Sequence, residues 1–225
     1  MTIAAANLTA NFGNGVTSLT TASISPTANA LVIVSVGNNI ASANTPTVSG
    51  ASGTWVQIAT VVSADGSRRV TMFRDLSSSP GSGALTIDFA AQSQTNVGYS
   101  IDQFTGVATS GTHGSGAIVQ NQNTLLVSTN TGITVTLNAL KSSNNAAYGY
   151  VRNNNGSNTI VAGSGFTQLS NQDITYEGEW ALNKTAVAWT WASSTNNTQA
   201  LAIEIQDNAP SFLGCPDPIL PDIWW

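Results

Sequence analysis

Charge is scarce in this 225-residue chain. Asp, Glu, Lys and Arg together make up 8% of it, against about 25% in ordinary globular proteins. Six basic residues face eleven acidic ones, for a net charge of −5. Nucleic-acid binding and polybasic membrane contact both need clustered Lys or Arg, so the composition argues against either partner. A single cysteine, Cys215, rules out an intramolecular disulfide, and with no histidine near it in sequence it reads as a buried or idle thiol. The single histidine, His113, has no second histidine or cysteine nearby, which argues against zinc. Calcium-loop and phosphate-cradling motifs are missing, so no cofactor is expected. Gly163-Ser164-Gly165 lacks the spacing of a nucleophile elbow. The longest largely apolar run, Ala30 to Val36, is about a third of a membrane span. Met1 to Ala6 has neither a basic start nor a long apolar core, so no signal peptide is read there and synthesis in a host cytoplasm is expected.

Helical periodicity is missing too; alternation and short β-branched runs take its place. Ser, Thr, Asn, Gly and Ala fill what charge leaves empty, while 41% hydrophobic content speaks against disorder. Six patterns recur in order along the chain. Thr20–Ile24 is answered by Thr134–Leu137, Leu31–Val36 by Ala146–Val151, and Gly53–Ile58 by Gly165–Leu169. Val70–Phe73 is answered by Thr175–Trp180, Leu85–Phe89 by Val187–Trp191, and Tyr99–Phe104 by Leu201–Ile205. Ordered recurrence of this kind predicts a duplicated β scaffold, with pseudo-repeats 17–107 and 131–207 inside a domain 1–209. Ala30 to Val36 is apolar at successive positions and so predicts a central strand. Trp55 to Val62 and Arg69 to Arg74 predict a hairpin around Asp65-Gly66. The Gly/Ser/Asn-rich stretch Thr105–Gly132 holds one further expected strand, Thr124–Ser128, and is either a boundary between two sandwiches or a crossing between sheets. The fold expected is all-β, a jelly-roll-like sandwich of about twelve strands.

From Pro210 the character changes. Four prolines, at 210, 216, 218 and 221, exclude regular pairing in the segment 210–225. Phe212, Leu213, Ile219, Leu220, Ile223, Trp224 and Trp225 are too apolar to stand free, so this extended tail is expected to dock on its own sandwich or in a neighbour's groove.

These residues carry a resemblance. A glycine before a Trp-centred strand (Gly53-Thr54-Trp55) leads through a hairpin to Met72-Phe73; Leu85–Phe89 then precedes a strand ending Phe104-Thr105-Gly106-Val107. With the closing strand Ala200–Ile205, the pattern resembles β-sandwich modules of bacteriophage virion surface proteins of the decoration, head-fibre or tail-fibre type. The resemblance spans about residues 20 to 207. It implies a jelly-roll-like or concanavalin-like sandwich, a structural or adhesive role at a virion surface, and no catalytic residues.

Three sets of side chains are candidates for chemistry. Glu177 and Glu179 stand at i and i+2 of one strand, about 7 Å apart on one face, near the carboxylate separation of some glycosidases. Tyr176, Gly178 and Trp180 then take the core side, which predicts that the glutamates are solvated. Tyr148 with Tyr150 and Trp189 with Trp191 form aromatic stripes, either core packing or a platform for sugar rings. Arg68, Arg69 and Arg74 hold half of the basic charge and predict a solvated hairpin edge or a grip on an acidic neighbour. The function expected is therefore non-enzymatic: a virion structural protein partnered by copies of itself or by a capsid or appendage protein. The alternative is a carbohydrate-binding adhesin that recognises host glycans.

Overall fold

The computed structural model of the chain describes residues 2–40, 44–154, 159–172 and 175–208. The segment 210–225, with its seven anchor candidates and Cys215, lies outside the described residues. The first half forms β1 (Ala4–Gly13), β2 (Ser18–Thr20), β3 (Leu31–Asn39), β4 (Thr47–Gly50), β5 (Val56–Val62), β6 (Arg68–Leu76), β7 (Leu85–Asp88) and β8 (Asn96–Thr105). The second forms β9 (Ile118–Leu126), β10 (Asn130–Thr136), β11 (Ala146–Arg152), β12 (Thr167–Gln172), β13 (Tyr176–Leu182), β14 (Ala186–Thr195) and β15 (Thr198–Ile205). A 3-10 turn at Ser115–Ala117 is the one helical element among the described residues. None of their helices is long and apolar enough to cross a membrane.

The strands make two five-stranded sheets, ordered β1-β8-β3-β6-β5 and β9-β15-β11-β13-β12, and two small ones, β2-β7-β4 and β10-β14. In the first half the first strand lies beside the last, the second beside the seventh and the third beside the sixth, which is jelly-roll wrapping; in the second half β9 lies beside β15, β10 beside β14 and β11 beside β13. The orders correspond strand for strand once β4 is matched to a lone bridge, Val161 with Thr190 on β14. Trp55 and Phe166 stand just before β5 and β12, at equivalent places. Among the described residues fifteen strands replace the roughly twelve expected. The half-exposed outer strand β1 reads as Ala and Asn without clear alternation, and β4 is only four residues long. The connection 105–132 is no mere linker: β9, longer than the expected Thr124–Ser128, is an outer strand of the second large sheet.

Four layers result, each large sheet lying between a small sheet and the other large sheet. Val32, Val34 and Val36 of β3 pack with Leu85, Ile87 and Phe89 against the first small sheet. Leu31 and Ile33, pointing the other way, join Met72, Phe104, Tyr148, Tyr150, Leu201 and Ile203 between the large sheets. The apolar run of β3 follows from burial on both faces. Sixteen buried side chains form the central cluster, and each fully buried Leu, Ile or Phe contributes about 1.5–3 kcal/mol, so the halves are held as one block.

The central interface has the symmetry of a dimer folded into one chain. Between the large sheets β3 meets β11; β8 meets β13 as β15 meets β6, and β1 meets β12 as β9 meets β5. Exchanging the halves leaves this pattern unchanged, as in an isologous two-fold contact. Tyr176 lies flat against Gly37 and Gly98, where a Cβ would stand 2.4 and 2.2 Å from its ring. Only glycine permits that approach.

Candidate functional site

Glu177 and Glu179 correct the expectation of solvated side chains: both are fully buried. Tyr176 does face the central interface, but the opposite face of β13 is covered as well, by the small sheet that carries Val187, Trp189 and Trp191. Glu179 accepts a hydrogen bond from the Gly163 N–H at 2.7 Å. Burial raises its pKa from 4.5 to about 8, against the opposing pull of the Gly163 and Ala188 backbones. Glu177 is pushed well up by burial and then by the neighbouring Glu179 charge. Gln168 and Trp189 approach it and favour its charged form, yet neither carboxylate oxygen has a hydrogen bond of good geometry. Both acids lie inside the packing of two layers, where burial favours their neutral form.

The internal symmetry shows how unusual this pair is. Leu31 pairs with Leu76 on β6 as Ala146 pairs with Leu182 on β13. Counting back from those pairs places Thr71 and Phe73 where the second half has Glu177 and Glu179. One sandwich fills the position with a hydroxyl and a phenyl ring, and the other with two carboxyl groups.

The glycan platform is also corrected. Tyr148, Tyr150 and Trp189 have no exposed surface, and Trp191 has 4%. Tyr148 packs edge-on against Phe104 at 5.3 Å, and Tyr150 stacks on Tyr176 at 6.4 Å. The Tyr148 hydroxyl shares hydrogen bonds with Ser35 Oγ at 2.8 Å and Asp102 Oδ2 at 2.7 Å. Asn7 and Ser100 also donate to Asp102, whose pKa burial still raises to about 6. These rings are core, because a large sheet with layers on both sides has no free face.

The three arginines are half-buried rather than fully solvated. Arg68 pairs with Asp65 at 3.2 Å and reaches Asn154 Oδ1, while Arg69 donates to Thr60 Oγ1. Arg74 donates to the carbonyls of Thr112 and His113, pinning the loop that leads into the 3-10 turn.

That loop builds a site the sequence reading missed. The neighbouring residue on β6, Asp75, is buried, and its Oδ1 meets His113 Nδ1 at 3.2 Å while Oδ2 accepts the Thr54 N–H at 3.3 Å. An open cleft of about 320 Å³ surrounds the pair, lined by Ser52, Thr54, Ser77, Ser78 and Thr112 besides Leu76. Trp55 lines a small recess that shares Ser52, Asp75, Leu76 and Ser77 with the cleft. The wall residues Ser52 and His113 hold left-handed backbone, with φ of 53° and 49°. The only hint in the sequence was a histidine set among Gly111, Gly114 and Gly116. Among the described residues no three His, Cys, Asp or Glu side chains gather as metal ligands would. The chain matches no protein-family model, no curated protein and no solved structure.

Proposed function

We propose that this chain is a non-enzymatic structural component of a virion surface, a capsid decoration, head fibre or similar exposed appendage. The observation that supports the reading most is the sealing of the interior. The paired glutamates and all four candidate aromatics lie inside a four-layer block and serve its packing. What faces outward is poor in charge and rich in hydroxyls and amides, a surface that repels little when it packs against copies of itself. The strand orders already place two sandwiches back to back within one chain, so the fold tolerates tight sheet-to-sheet association. In this reading the apolar segment 210–225 anchors the block to a neighbouring copy or to a capsid or appendage protein.

An antibody against the folded block tests the role. It should decorate intact particles in electron micrographs, and mass spectrometry of those particles should count many copies of the chain. A chain confined to the soluble lysate and absent from purified particles would end the proposal.

A further inference from the structure

We propose that the cleft between Asp75 and His113 binds a neutral saccharide, a single sugar or the end of an uncharged glycan. The inference stands apart from the structural role above, since a virion component and a cellular protein alike can carry such a site. The cleft volume of about 320 Å³ lies at the lower end of the range for small-ligand sites, about 300–1,000 Å³. Its lining dictates the chemistry. Five hydroxyl groups, on Ser52, Thr54, Ser77, Ser78 and Thr112, both donate and accept. The Asp75 carboxylate only accepts. In the neutral ring, its contact with His113 Nδ1 makes that nitrogen the donor and leaves Nε2 as an acceptor. Such a set suits a ligand that is itself a row of hydroxyls.

Charge excludes the main competitor. No Lys or Arg lines the cleft, and the nearby Arg74 is engaged by the Thr112 and His113 carbonyls. A phosphate, sulfate or carboxylate would meet Asp75 with no free Lys or Arg to hold it.

Shape supplies the remaining arguments. Trp55, half-buried, has its indole N–H bonded to the Gly50 carbonyl at 3.2 Å. That bond fixes an aromatic body in the adjoining recess, which shares Ser52, Asp75, Leu76 and Ser77 with the cleft, and a sugar ring reaching from the cleft into the recess would meet it with its C–H face. Gly53 makes the juxtaposition possible: a Cβ there would stand 2.9 Å from Asp75 Oδ2 and 3.0 Å from Trp55 Nε1. Left-handed backbone is unfavourable at non-glycine residues. Ser52 holds it on one side of the cleft and His113 on the other. The fold itself does not demand the cleft. At the position of Asp75 the second half carries Ala181, paired with Ala147 as Asp75 pairs with Val32, and its counterpart of β4 is the single bridge at Val161.

His113 is the only histidine, so its ring resonances report this cleft alone. The full chain is titrated with glucose, galactose, mannose, N-acetylglucosamine, maltose and lactose, and separately with sialic acid and inorganic phosphate. At least one neutral sugar should shift the His113 ring and Trp55 indole signals saturably, with a Kd of about 1 mM. Asp75→Asn and Trp55→Ala should each weaken that binding by about tenfold or more, and Glu179→Gln should leave it unchanged. Should Asp75→Asn lose its fold, Ser78→Ala carries the test, because Ser78 is exposed and its removal leaves the core intact. The proposal is overturned if no neutral sugar shifts these signals up to about 50 mM, or if phosphate or sialic acid binds as well as the best neutral sugar. Labelling of a cleft serine by a fluorophosphonate would overturn it too, since that marks a nucleophile.

Discussion

The buried carboxyl groups make the protein more stable in acid than in alkali, the reverse of ordinary acid denaturation. In the unfolded chain Glu179 loses its proton near 4.5, whereas in the fold it keeps it to about pH 8. Between those values the folded state holds a proton that the unfolded state has released, so stability falls as pH rises through this window and levels off above it. At about 1.4 kcal/mol per pH unit, Glu179 alone removes about 3–5 kcal/mol. Glu177, shifted in the same direction by burial and by Glu179, adds to the loss. Asp102, raised from 3.8 to about 6, contributes an earlier decline of about 3 kcal/mol between its two values. Against a total of about 5–15 kcal/mol for a typical domain, this is a large fraction. Asp65 acts oppositely: the hydroxyls of Ser63 and Ser67 hold it well below the carboxylate range, so its contribution is lost as pH falls below the unfolded value. Its exposure keeps that contribution small. Urea unfolding followed by tryptophan fluorescence should show the midpoint falling steadily from about pH 5 to about pH 9 with little change in slope. The double variant Glu177→Gln with Glu179→Gln should lose the part of the decline above about pH 6 and keep the part due to Asp102. A flat or rising wild-type midpoint, or an unchanged decline in the double variant, would refute the reasoning.

Other outcomes follow from the central interface and the surface. Gly98→Ala sets a Cβ 2.2 Å from the Tyr176 ring, so thermal unfolding should show a loss of about 1–3 kcal/mol or more, as overpacking brings. Tyr148→Phe removes a hydroxyl bonded to Ser35 and Asp102 and should cost about 1–3 kcal/mol in urea titrations, because a buried carboxyl loses a partner. Arg68→Ser should stay within about 1 kcal/mol of wild type, since the Asp65 end of its ion pair is exposed.

How legible each feature was in the sequence depends on burial. Leu31 to Val36 could be read as a central strand because both its faces pack apolar side chains. The outer strands β1 and β9 could not, since their half-exposed positions admit Asn, Gln and Thr and blur the alternation. For Glu177 and Glu179, the alternation with Tyr176, Gly178 and Trp180 identified one buried face correctly. It said nothing of the second layer over the other face, because that layer comes from Trp189 and its neighbours on β14. Tyr148 and Trp189 could be read as core or, less readily, as platform, since bulk and periodicity are the same in both; only the layer count decides. The cleft was hidden for a different reason. Trp55, Asp75 and His113 lie on separate segments, and no short-range spacing connects a strand end to a loop 38 residues away. The jelly-roll wrapping brings them together.

Sedimentation velocity of the full chain beside a chain ending at Asn208 tests the proposed structural role most directly. Every strand described here ends by Ile205, so the shorter chain should fold and run as a monomer. The full chain, with seven large apolar side chains added, should run as discrete higher assemblies, because each such residue buried at a contact contributes about 1.5–3 kcal/mol. Two folded monomers at the same concentration would contradict anchoring to a neighbouring copy.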